Sequence, residues 1–477
     1  MKPPNILWIC TDQQRPDTLG CYDNPWVKTP NLDALAKRGM LFEKAFAQSP
    51  VCSPSRASFL TGRYPRTCRC RQNGQAIPAD EVPVTRLLDE AGYRCGLAGK
   101  LHLSPCHPKV APEMERRIED GYEVFHWSHH PMGGWGNHNA YWAWLEQQGQ
   151  TYTTRGHPEC RLIGEGMPAE YHQTTWCADR AIDHINEARQ DKRPWLFSVN
   201  FFDPHHGFDP PASHLARYAD FIDDLPLPEY HDGELENKSS FQHLDHAGAY
   251  NKPGSYAWSS MTSRDHRWVK AAYYAMIDLI DEQVGRILDA LERSGQIDNT
   301  LIIFMSDHGE MLGDHGIYLK GPYFYDPAIQ VPLIVAGPGV KPGSTKALVE
   351  LVDIAPTLLE TAGLPRHNGM QGLSLWPLLH DPADPHRDSV YCEYYNAMPW
   401  HKKPEAHLTM VRTDRFKLTV NHSENSGELY ALDSDPGETN NRWNDPALTA
   451  IQSELLLQLT HRMAWTADPL PVREAAF

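Results

Sequence analysis

The sequence predicts an α/β fold with a large sheet flanked by helices, followed by a smaller C-terminal antiparallel sheet with a helix. The runs 5–10 and 301–305 are short and almost entirely apolar, as expected of strands buried on both faces of a sheet. Between them, 266–293 carries apolar residues at helical spacing over many turns. The C-terminal sheet is predicted from short strand-like runs before a helix at 447–463, namely 390–395, 408–412, 416–420 and 428–432.

The length predicts two domains. A chain of 477 residues exceeds what one hydrophobic core usually supports. We expect a large catalytic domain over 1–380 and a smaller α+β subdomain over 381–477, because the proline-rich stretch 365–385 marks a boundary.

Composition excludes several classes of function. Apolar residues make up 41% and charged residues 22%, as in soluble globular proteins, and no window approaches the roughly 18 uncharged apolar residues of a membrane span. The net charge of -17 argues against a nucleic-acid partner, because phosphate binding needs a basic surface. The N-terminal residues lack the features of a signal peptide, which predicts a cytoplasmic protein and leaves secretion from a longer precursor open. Ten cysteines without metal-type spacing predict reduced thiols.

One candidate site residue follows the first predicted strand. Another lies at the start of a short helix that comes after a predicted helix at 31–39. Asp12 follows strand 5–10 at the edge where α/β sheets bind ligands, although it is as well suited to cap the next segment. The helix is expected to begin with Ser53 as N-cap, to have Pro54 as its first residue and to end at a glycine. Cys52 would then lie at the helix mouth, where amide groups and the dipole favour an anion.

A predicted strand over 93–98, which follows a helix over 84–91, ends in Gly-Lys-Leu-His. Residues two apart on an extended segment share a face, so Lys100 and His102 are expected to point at one site. The alternative is a solvated lysine beside a histidine with ordinary hydrogen bonds.

Two long stretches, 105–160 and 207–262, lack clear periodicity. The first is expected to be a binding loop without core strands or regular helices, and the second an irregular insertion that lines the pocket or an oligomer contact. The histidines of the first stretch lack helical i, i+4 spacing beside an acid, so we do not predict a second metal site there. Its tryptophans are suited to stacking on a sugar or another flat group, or to surface packing.

Further polar residues follow later strands. A helix over 174–189 and a strand over 194–202 lead to Asp203-Pro-His205, and the strand 301–305 leads to Ser306-Asp-His-Gly-Glu310. A buried strand at 331–336 and a core helix at 352–359 complete the predicted large domain.

The run Cys52-Ser-Pro-Ser-Arg56, continued by Ala-Ser-Phe-Leu-Thr-Gly, resembles the signature of the formylglycine-dependent sulfatases, in which the cysteine is oxidised to an aldehyde. The Gly-Lys-x-His, Asp-Pro-His and Ser-Asp-His-Gly motifs and a lysine at 320 follow in family order. The resemblance covers most of 5–365 and implies an alkaline-phosphatase-like fold with a large mixed, mostly parallel sheet. The alternative for Cys52 is a small buried cysteine chosen for packing.

The resemblance also implies roles for single residues. The implied metal ligands are Asp12, Gln13, Cys52, Asp307 and His308. The implied catalytic residues are Cys52, Arg56 (holding residue 52 or its ligand), Lys100 and His102 (sulfate binding and leaving-group protonation), His205 (sulfate contact) and Lys320 (ester oxygen). Asn73 lies where phosphonate monoester hydrolases carry a substrate-binding asparagine, or simply forms an Asn-Gly turn.

The chemistry implied by the resemblance uses the hydrated aldehyde as nucleophile. A divalent metal lowers the pKa of one hydroxyl of the geminal diol, and the second hydroxyl later expels sulfate. Oxygen-rich ligands favour calcium, with magnesium or manganese as alternatives. The implied partners are a small anionic substrate, such as a sulfated carbohydrate, and the formylglycine-generating enzyme; homo-oligomerisation stays open.

Two departures from many sulfatases, Gln13 and His308, are shared with the phosphonate monoester hydrolase branch, whereas Lys100 and His102 match sulfatases. We therefore predict a sulfuric ester hydrolase acting on an organic sulfate monoester. The alternatives are a phosphonate monoester or phosphodiester hydrolase, and a sulfated-glycan binding protein with unmodified Cys52.

Overall fold

The fold is described from a computed structural model, which covers residues 3–131, 133–403, 405–473 and 475. In chain order the strands are β1 (Asn5–Thr11), β2 (Met40–Phe42), β3 (Ala45–Phe46), β4 (Arg94–Gly99), β5 (Val124–Trp127), β6 (Arg155–Gly156), β7 (Gly164–Glu165), β8 (Trp195–Asn200), β9 (Thr300–Ser306), β10 (Gln330–Val331), β11 (Leu333–Ala336), β12 (Gly343–Thr345), β13 (Val349–Glu350), β14 (Val390–Tyr395), β15 (His407–Arg412), β16 (Phe416–Asn421) and β17 (Ser426–Ala431).

The α-helices are α1 (Pro30–Arg38), α2 (Cys52–Thr61), α3 (Val84–Glu90), α4 (Ala140–Gln147), α5 (Gln173–Ala188), α6 (Ala212–Leu215), α7 (Ser240–Ala247), α8 (Ser263–Ser294), α9 (Asp326–Ile329), α10 (Ile354–Thr361), α11 (Trp376–His380) and α12 (Thr449–Trp465). Among the described residues, no helix combines the length and apolar character needed to cross a bilayer. All ten cysteines carry free thiols.

The large sheet has eight strands in the order β12-β2-β11-β9-β1-β8-β4-β5. β1 pairs in parallel with both β8 and β9, and β4 pairs in parallel with β8 and β5. Only β11 runs antiparallel to its neighbours in this sheet. The predicted mixed, mostly parallel sheet is therefore confirmed.

Both faces of the sheet are buried, which explains why the central strands are apolar throughout. In β1 the side chains of Leu7 and Ile9 pack into the core that contains α1, α5 and α8. Ile6, Trp8 and Cys10 pack into the opposite core, against residues of α2, α3 and α10. The alternation is structural, because successive side chains of a strand point to opposite faces.

The C-terminal part forms the predicted antiparallel sheet, in the order β14-β15-β16-β17. The final helix α12 packs on it through Leu455 and Leu459, which contact a small core with Val411, Leu418 and Leu429.

The prediction of irregular structure over 105–160 is wrong in two places. β5 adds an edge strand to the large sheet, and α4 forms a regular helix capped by the Asn139 side chain. The sequence pattern does not indicate β5, because this strand has only four residues and three of them are only half-buried. The stretch 207–262 consists largely of short helical turns, including two within Ala216–Asp224 that meet at a kink at Phe221. It is not irregular throughout, because it also contains the eight-residue helix α7.

Candidate active site

Four parallel strands end at the same edge of the large sheet, and each delivers a polar residue there. Asp12 follows β1, Lys100 follows β4, His205 follows β8 and Asp307 follows β9. Because the carboxyl ends of parallel strands meet at one edge, residues nearly 300 positions apart along the chain lie together. The position predicted from the sequence for Asp12 is therefore the position observed.

The helix that carries Cys52 begins two residues earlier than predicted. Cys52 is the first residue of α2, Val51 precedes it as N-cap, and Ser53 does not cap the helix. The prediction failed because the cap comes from elsewhere in the chain: Asn73 Oδ1 accepts the Ser53 backbone N–H at 2.9 Å. Gly62 ends the helix in a left-handed conformation, as predicted.

The predicted metal ligands form one buried cluster. Ligand atoms of Asp12, Cys52, Asp307 and His308 all lie within 4.8 Å of one another. Cys52 Sγ is 3.6 Å from Asp12 Oδ1 and 3.2 Å from His308 Nε2. His308 Nε2 is in turn 3.7 Å from one oxygen of each carboxylate. The geometry brings together residues from three separate segments of the chain.

His308 presents a lone pair to this cluster. Its Nδ1 lies 2.9 Å from the Gly309 carbonyl oxygen, so Nδ1 carries the proton and Nε2 faces the other ligand atoms without one.

The fifth predicted ligand, Gln13, also turns its oxygen inward. Lys320 Nζ donates to Gln13 Oε1 at 2.7 Å and lies 3.1 Å from Cys52 Sγ and 3.2 Å from His308 Nε2. Gln13 Oε1, Cys52 Sγ and His308 Nε2 thus all face the same positively charged group, the Lys320 ammonium. A set of two carboxylates, one amide oxygen and one imidazole nitrogen fits calcium, magnesium or manganese.

Arg56 lies beneath the cluster and holds its carboxylates. The buried guanidinium donates from Nε to Asp307 Oδ2 at 2.8 Å, from Nη2 to Asp12 Oδ2 at 3.4 Å and from Nη1 to the Lys100 carbonyl at 2.9 Å. Arg56 is not among the residues that line the neighbouring cavity. This arrangement makes it a positioning residue rather than a group that contacts substrate.

Lys100 and His102 both reach the site, but not through an extended segment as predicted. β4 ends at Gly99, and His102 adopts a left-handed backbone conformation with φ of 60°. The Lys100 ammonium pairs with the Asp12 carboxylate. The turn at His102 is held by Glu115, whose carboxylate accepts the backbone N–H groups of residues 102, 103 and 104 at 2.8, 2.7 and 3.2 Å.

The site stabilises negative charge on residue 52. Burial alone would raise the pKa of the Cys52 thiol, but the ammonium groups of Lys100 and Lys320 hold it well below its ordinary value. The side chain is only 1% exposed, so these charges act with little screening by solvent. An anionic side chain at this position is therefore favoured by its surroundings.

Two histidines flank Cys52 and are neutral at neutral pH. Burial, together with Lys100, lowers the pKa of His102 to about 4. Burial, together with Lys320, lowers that of His205 to about 4. Each ring can accept a proton in this state.

The cluster opens into a cavity of about 1110 Å³. Cys52, Asn73, Lys100, His102, His205 and Lys320 all line it, so the structure brings these predicted residues to one place. Aromatic side chains form much of the outer wall, including Trp142, Tyr152 and Trp400. Among the described residues that line the cavity, Asp209 is the single acid, whereas five are lysine or arginine, namely Lys100, Arg155, Arg161, Lys252 and Lys320.

Several residues of the site were missed from the sequence. No sequence pattern points to Glu115. Its carboxylate binds backbone N–H groups of a turn, and the predicted strand did not include that turn. Glu310 lies two residues after His308, and its buried carboxylate accepts from the Gln13 amide and from the Leu312 N–H. His129 and His206 line the cavity as well.

The comparisons with known proteins agree with this geometry. The family model described as Sulfatase matches residues 4–364, and one described as N-sulphoglucosamine sulphohydrolase, C-terminal, matches 313–464. An arylsulfatase of Clostridium perfringens is 30% identical over 468 residues, which is 92% of this chain and 90% of that protein. An N-acetylglucosamine-6-O-sulfatase of Bacteroides thetaiotaomicron is 27% identical, over 98% of this chain and 88% of that protein.

Among solved structures, the phosphonate monoester hydrolase of Silicibacter pomeroyi superposes with a TM-score of 0.84 at 26% identity, covering 98% of this chain and 96% of that one. The predicted alkaline-phosphatase-like fold is thereby confirmed. With a family match over most of its length and a relative of 30% identity along nearly the whole chain, this protein belongs to the sulfatase family of sulfuric ester hydrolases.

Proposed function

We propose that this chain hydrolyses an organic sulfate monoester, with residue 52 acting as nucleophile after conversion of Cys52 to formylglycine. The observation that carries the proposal is the position of the buried Cys52 thiol, which lies 3.1 Å from Lys320 Nζ and within the cluster formed by Asp12, Asp307 and His308. Surroundings that stabilise a thiolate also stabilise the oxyanion that a hydrated formylglycine needs in order to attack sulfur.

The chain's own residues divide the work. Lys320 and Lys100 line the cavity together with residue 52 and would neutralise charge on the bound sulfate. Arg56 holds the carboxylates of Asp12 and Asp307 in position through hydrogen bonds from its guanidinium. Protonation of the leaving group is assigned to His102, whose low pKa must rise when the substrate's negative charge binds beside it.

Asp12, Gln13, Asp307 and His308 would hold a divalent metal, and residue 52 would complete its shell. When bound, the metal supplies positive charge that lowers the pKa of a hydroxyl at residue 52. The oxygen-rich ligand set supports calcium first, with magnesium or manganese as alternatives.

The cavity supports an anionic substrate with a flat or cyclic organic part. Its five cations contrast with a net charge of -17 for the whole chain, so positive charge is concentrated where the substrate would enter. Trp142, Tyr152 and Trp400 offer faces on which a sugar or an aryl group can stack. A sulfated carbohydrate or an aryl sulfate fits both features.

A second candidate is hydrolysis of a phosphonate monoester or phosphodiester. It is favoured by the similarity to the phosphonate monoester hydrolase of Silicibacter pomeroyi and by the neutral amide of Gln13 in the ligand set. Such a substrate would bind at the same cations, because both esters present negatively charged oxygens.

Rates on matched substrates separate the two candidates. We would measure kcat/KM for 4-nitrophenyl sulfate and for 4-nitrophenyl phenylphosphonate on protein produced with a formylglycine-generating enzyme. We expect a higher kcat/KM for the sulfate, whereas a higher kcat/KM for the phosphonate would favour the second candidate. The intact mass of the peptide that contains residue 52 and the metal content accompany both assays, and a fully active protein with unmodified Cys52 would refute the proposed nucleophile.

A further inference from the structure

A second group of potential metal ligands lies in the cavity wall. His102, Cys106 and His129 each offer one ligand atom, and these atoms lie within 4.8 Å of one another. The three residues come from different positions in the loops after β4 and β5, and no sequence spacing predicts their contact. The two imidazole rings meet edge to face with centroids 4.5 Å apart.

Two buried nitrogens in this group lack a partner. His102 is 6% and His129 7% exposed, and Nδ1 of each ring has no hydrogen-bond partner within the part of the chain that the structure describes. A buried polar atom without a hydrogen-bond partner destabilises the folded state. Both nitrogens are therefore available to a ligand that enters beside the Cys106 thiol.

We propose that His102, Cys106 and His129 form a second metal site that takes a borderline or soft cation, with zinc as the preferred ion. Two imidazole nitrogens and one thiolate are ligands that zinc favours, whereas the oxygen-rich cluster around Asp12 and Asp307 favours harder cations. The two sites of this cavity therefore select different classes of metal.

The surroundings fit a cation with an open coordination position. All three ligand residues line the cavity, so a water or a substrate atom can complete a tetrahedral shell. Glu115 supplies negative charge next to the group, because its carboxylate lies beside Cys106 and accepts the backbone N–H of His102. Binding replaces the Cys106 S–H bond with a sulfur–metal bond and releases that proton to solvent.

Zinc at this site would inhibit the enzyme. It would occupy an imidazole nitrogen of His102, the residue assigned to leaving-group protonation, and it would narrow the cavity beside residue 52. This consequence rests on the proposed function, whereas the binding of zinc does not.

Binding is tested with full-length Cys52→Ser protein, in which the thiol of the other cluster is absent, in the presence of excess calcium. Titration with Co²⁺ is expected to give one ion per chain with a thiolate-to-cobalt charge-transfer band, and Zn²⁺ should displace it. In the same background, Cys106→Ser should abolish the band, and His129→Ala should weaken Zn²⁺ binding by more than about tenfold, since even the loss of an outer partner costs a metal site that much.

The half-buried Cys21 lies in another part of the fold, so Cys21→Ser is the matched control and should leave the band unchanged. Circular dichroism and the unfolding temperature establish that each variant is folded. A missing band in the folded parent, or a band and affinity unaltered in Cys106→Ser, would overturn the proposed site.

The inhibitory consequence is measured separately on the mature enzyme with 4-nitrophenyl sulfate. Cys106→Ser should raise the inhibitory zinc concentration by more than about tenfold. If zinc binds as expected and does not inhibit, the site stands and the role assigned to His102 in the proposed function is wrong.

Discussion

The Glu115 carboxylate accepts the backbone N–H of His102 at 2.8 Å, in a turn where His102 has a left-handed backbone conformation. Such a conformation is strained by about 1–2 kcal/mol for a residue with a Cβ, so it needs support from its surroundings. Glu115 also accepts from the indole N–H of Trp127 at 2.8 Å. It is therefore the residue that fixes the position of His102 in the cavity.

We expect Glu115→Gln to lower kcat by about 10- to 100-fold and stability by about 3 kcal/mol, because an amide NH₂ would face backbone N–H groups that now meet an acceptor. Kinetics on 4-nitrophenyl sulfate and denaturant unfolding measure the two effects. The exposed neighbour Glu113 provides the control, Glu113→Gln, which should change neither. A fully active Glu115→Gln enzyme would rule out the positioning role.

Lys320 controls the charge on residue 52. In protein with unmodified Cys52, Lys320→Met should raise the pKa of the thiol toward its ordinary value, since an ammonium 3.1 Å from Sγ is lost. The ultraviolet absorbance of the thiolate as a function of pH reports this. In the mature enzyme the same change should lower kcat by about 100- to 1,000-fold.

The control for Lys320 is Lys252→Met, which removes another cation of the cavity. Lys252 lies over the Trp400 ring, with Nζ 4.0 Å from its centroid, and is not among the groups with the largest effect on the pKa of Cys52. An equal rise of the thiol pKa in both variants would show that the general charge of the cavity matters and the specific contact does not.

Glu310 orients the amide of Gln13. Its carboxylate accepts from Gln13 Nε2 and thereby directs Gln13 Oε1 toward the metal ligands. Glu310→Gln should weaken calcium binding about 10- to 100-fold, because the Gln13 amide could then turn over. Calorimetric titration of metal-free protein measures this, and Asp314→Asn in the same loop, where Asp314 bonds Arg15, should bind calcium like the wild type.

Asp203 should give the fold a measurable pH dependence. Burial raises its pKa to about 7, although a hydrogen bond from Thr174 opposes this. The folded state thus binds a proton more tightly than the unfolded chain, so this stability is present below about pH 4 and is lost as the pH rises through about 7. Asp203→Asn cannot titrate, and its free energy of unfolding should therefore rise relative to wild type by roughly 4 kcal/mol across this range.

Denaturant unfolding at several pH values gives the difference between the two proteins. Thr174→Val removes the hydrogen bond that lowers the pKa and should move the transition to higher pH. A constant difference between wild type and Asp203→Asn from pH 4 to pH 8 would contradict a raised pKa.

Substitutions at two glycines test how the backbone at the end of β4 positions Lys100. A Cβ on Gly99, where φ is 106°, would lie 1.9 Å from the Asn200 carbonyl oxygen, which accepts the Lys100 N–H at 3.1 Å. Gly99→Ala should therefore cost about 3 kcal/mol or more and lower activity by displacing Lys100. At Gly92 φ is 91° but no atom lies within 4 Å, so Gly92→Ala should cost about 1 kcal/mol and serves as the control for both unfolding and kinetics.

The sequence predicts those parts of the fold in which burial dictates the residue pattern. The central strands β1 and β9 are buried on both faces, so their apolar runs are unambiguous. The long helix α8 has a sustained helical period and a capping box at Thr262, and its predicted extent is short by only a few residues. Site residues are predictable where they follow such strands, as Asp12 and Asp307 do.

Features fixed by distant contacts were not predictable. The start of α2 depends on the Asn73 side chain, which lies 20 residues beyond Ser53 and leaves no local signal. The edge strand β5 pairs with one neighbour only, and its half-buried residues give no clear alternation. Likewise, the contact of His102 with His129 arises from two loops, so no spacing along the chain could indicate it.

The dispersal of the site along the chain has a consequence for protein synthesis. Residue 52 leaves the ribosome long before Asp307 and Lys320 have been translated, and in the finished protein its side chain is only 1% exposed. If Cys52 is converted to formylglycine as proposed, the modifying enzyme has access to this cysteine chiefly while the nascent polypeptide is still being elongated. The speed of translation between codons 52 and 320 would then set the yield of active molecules.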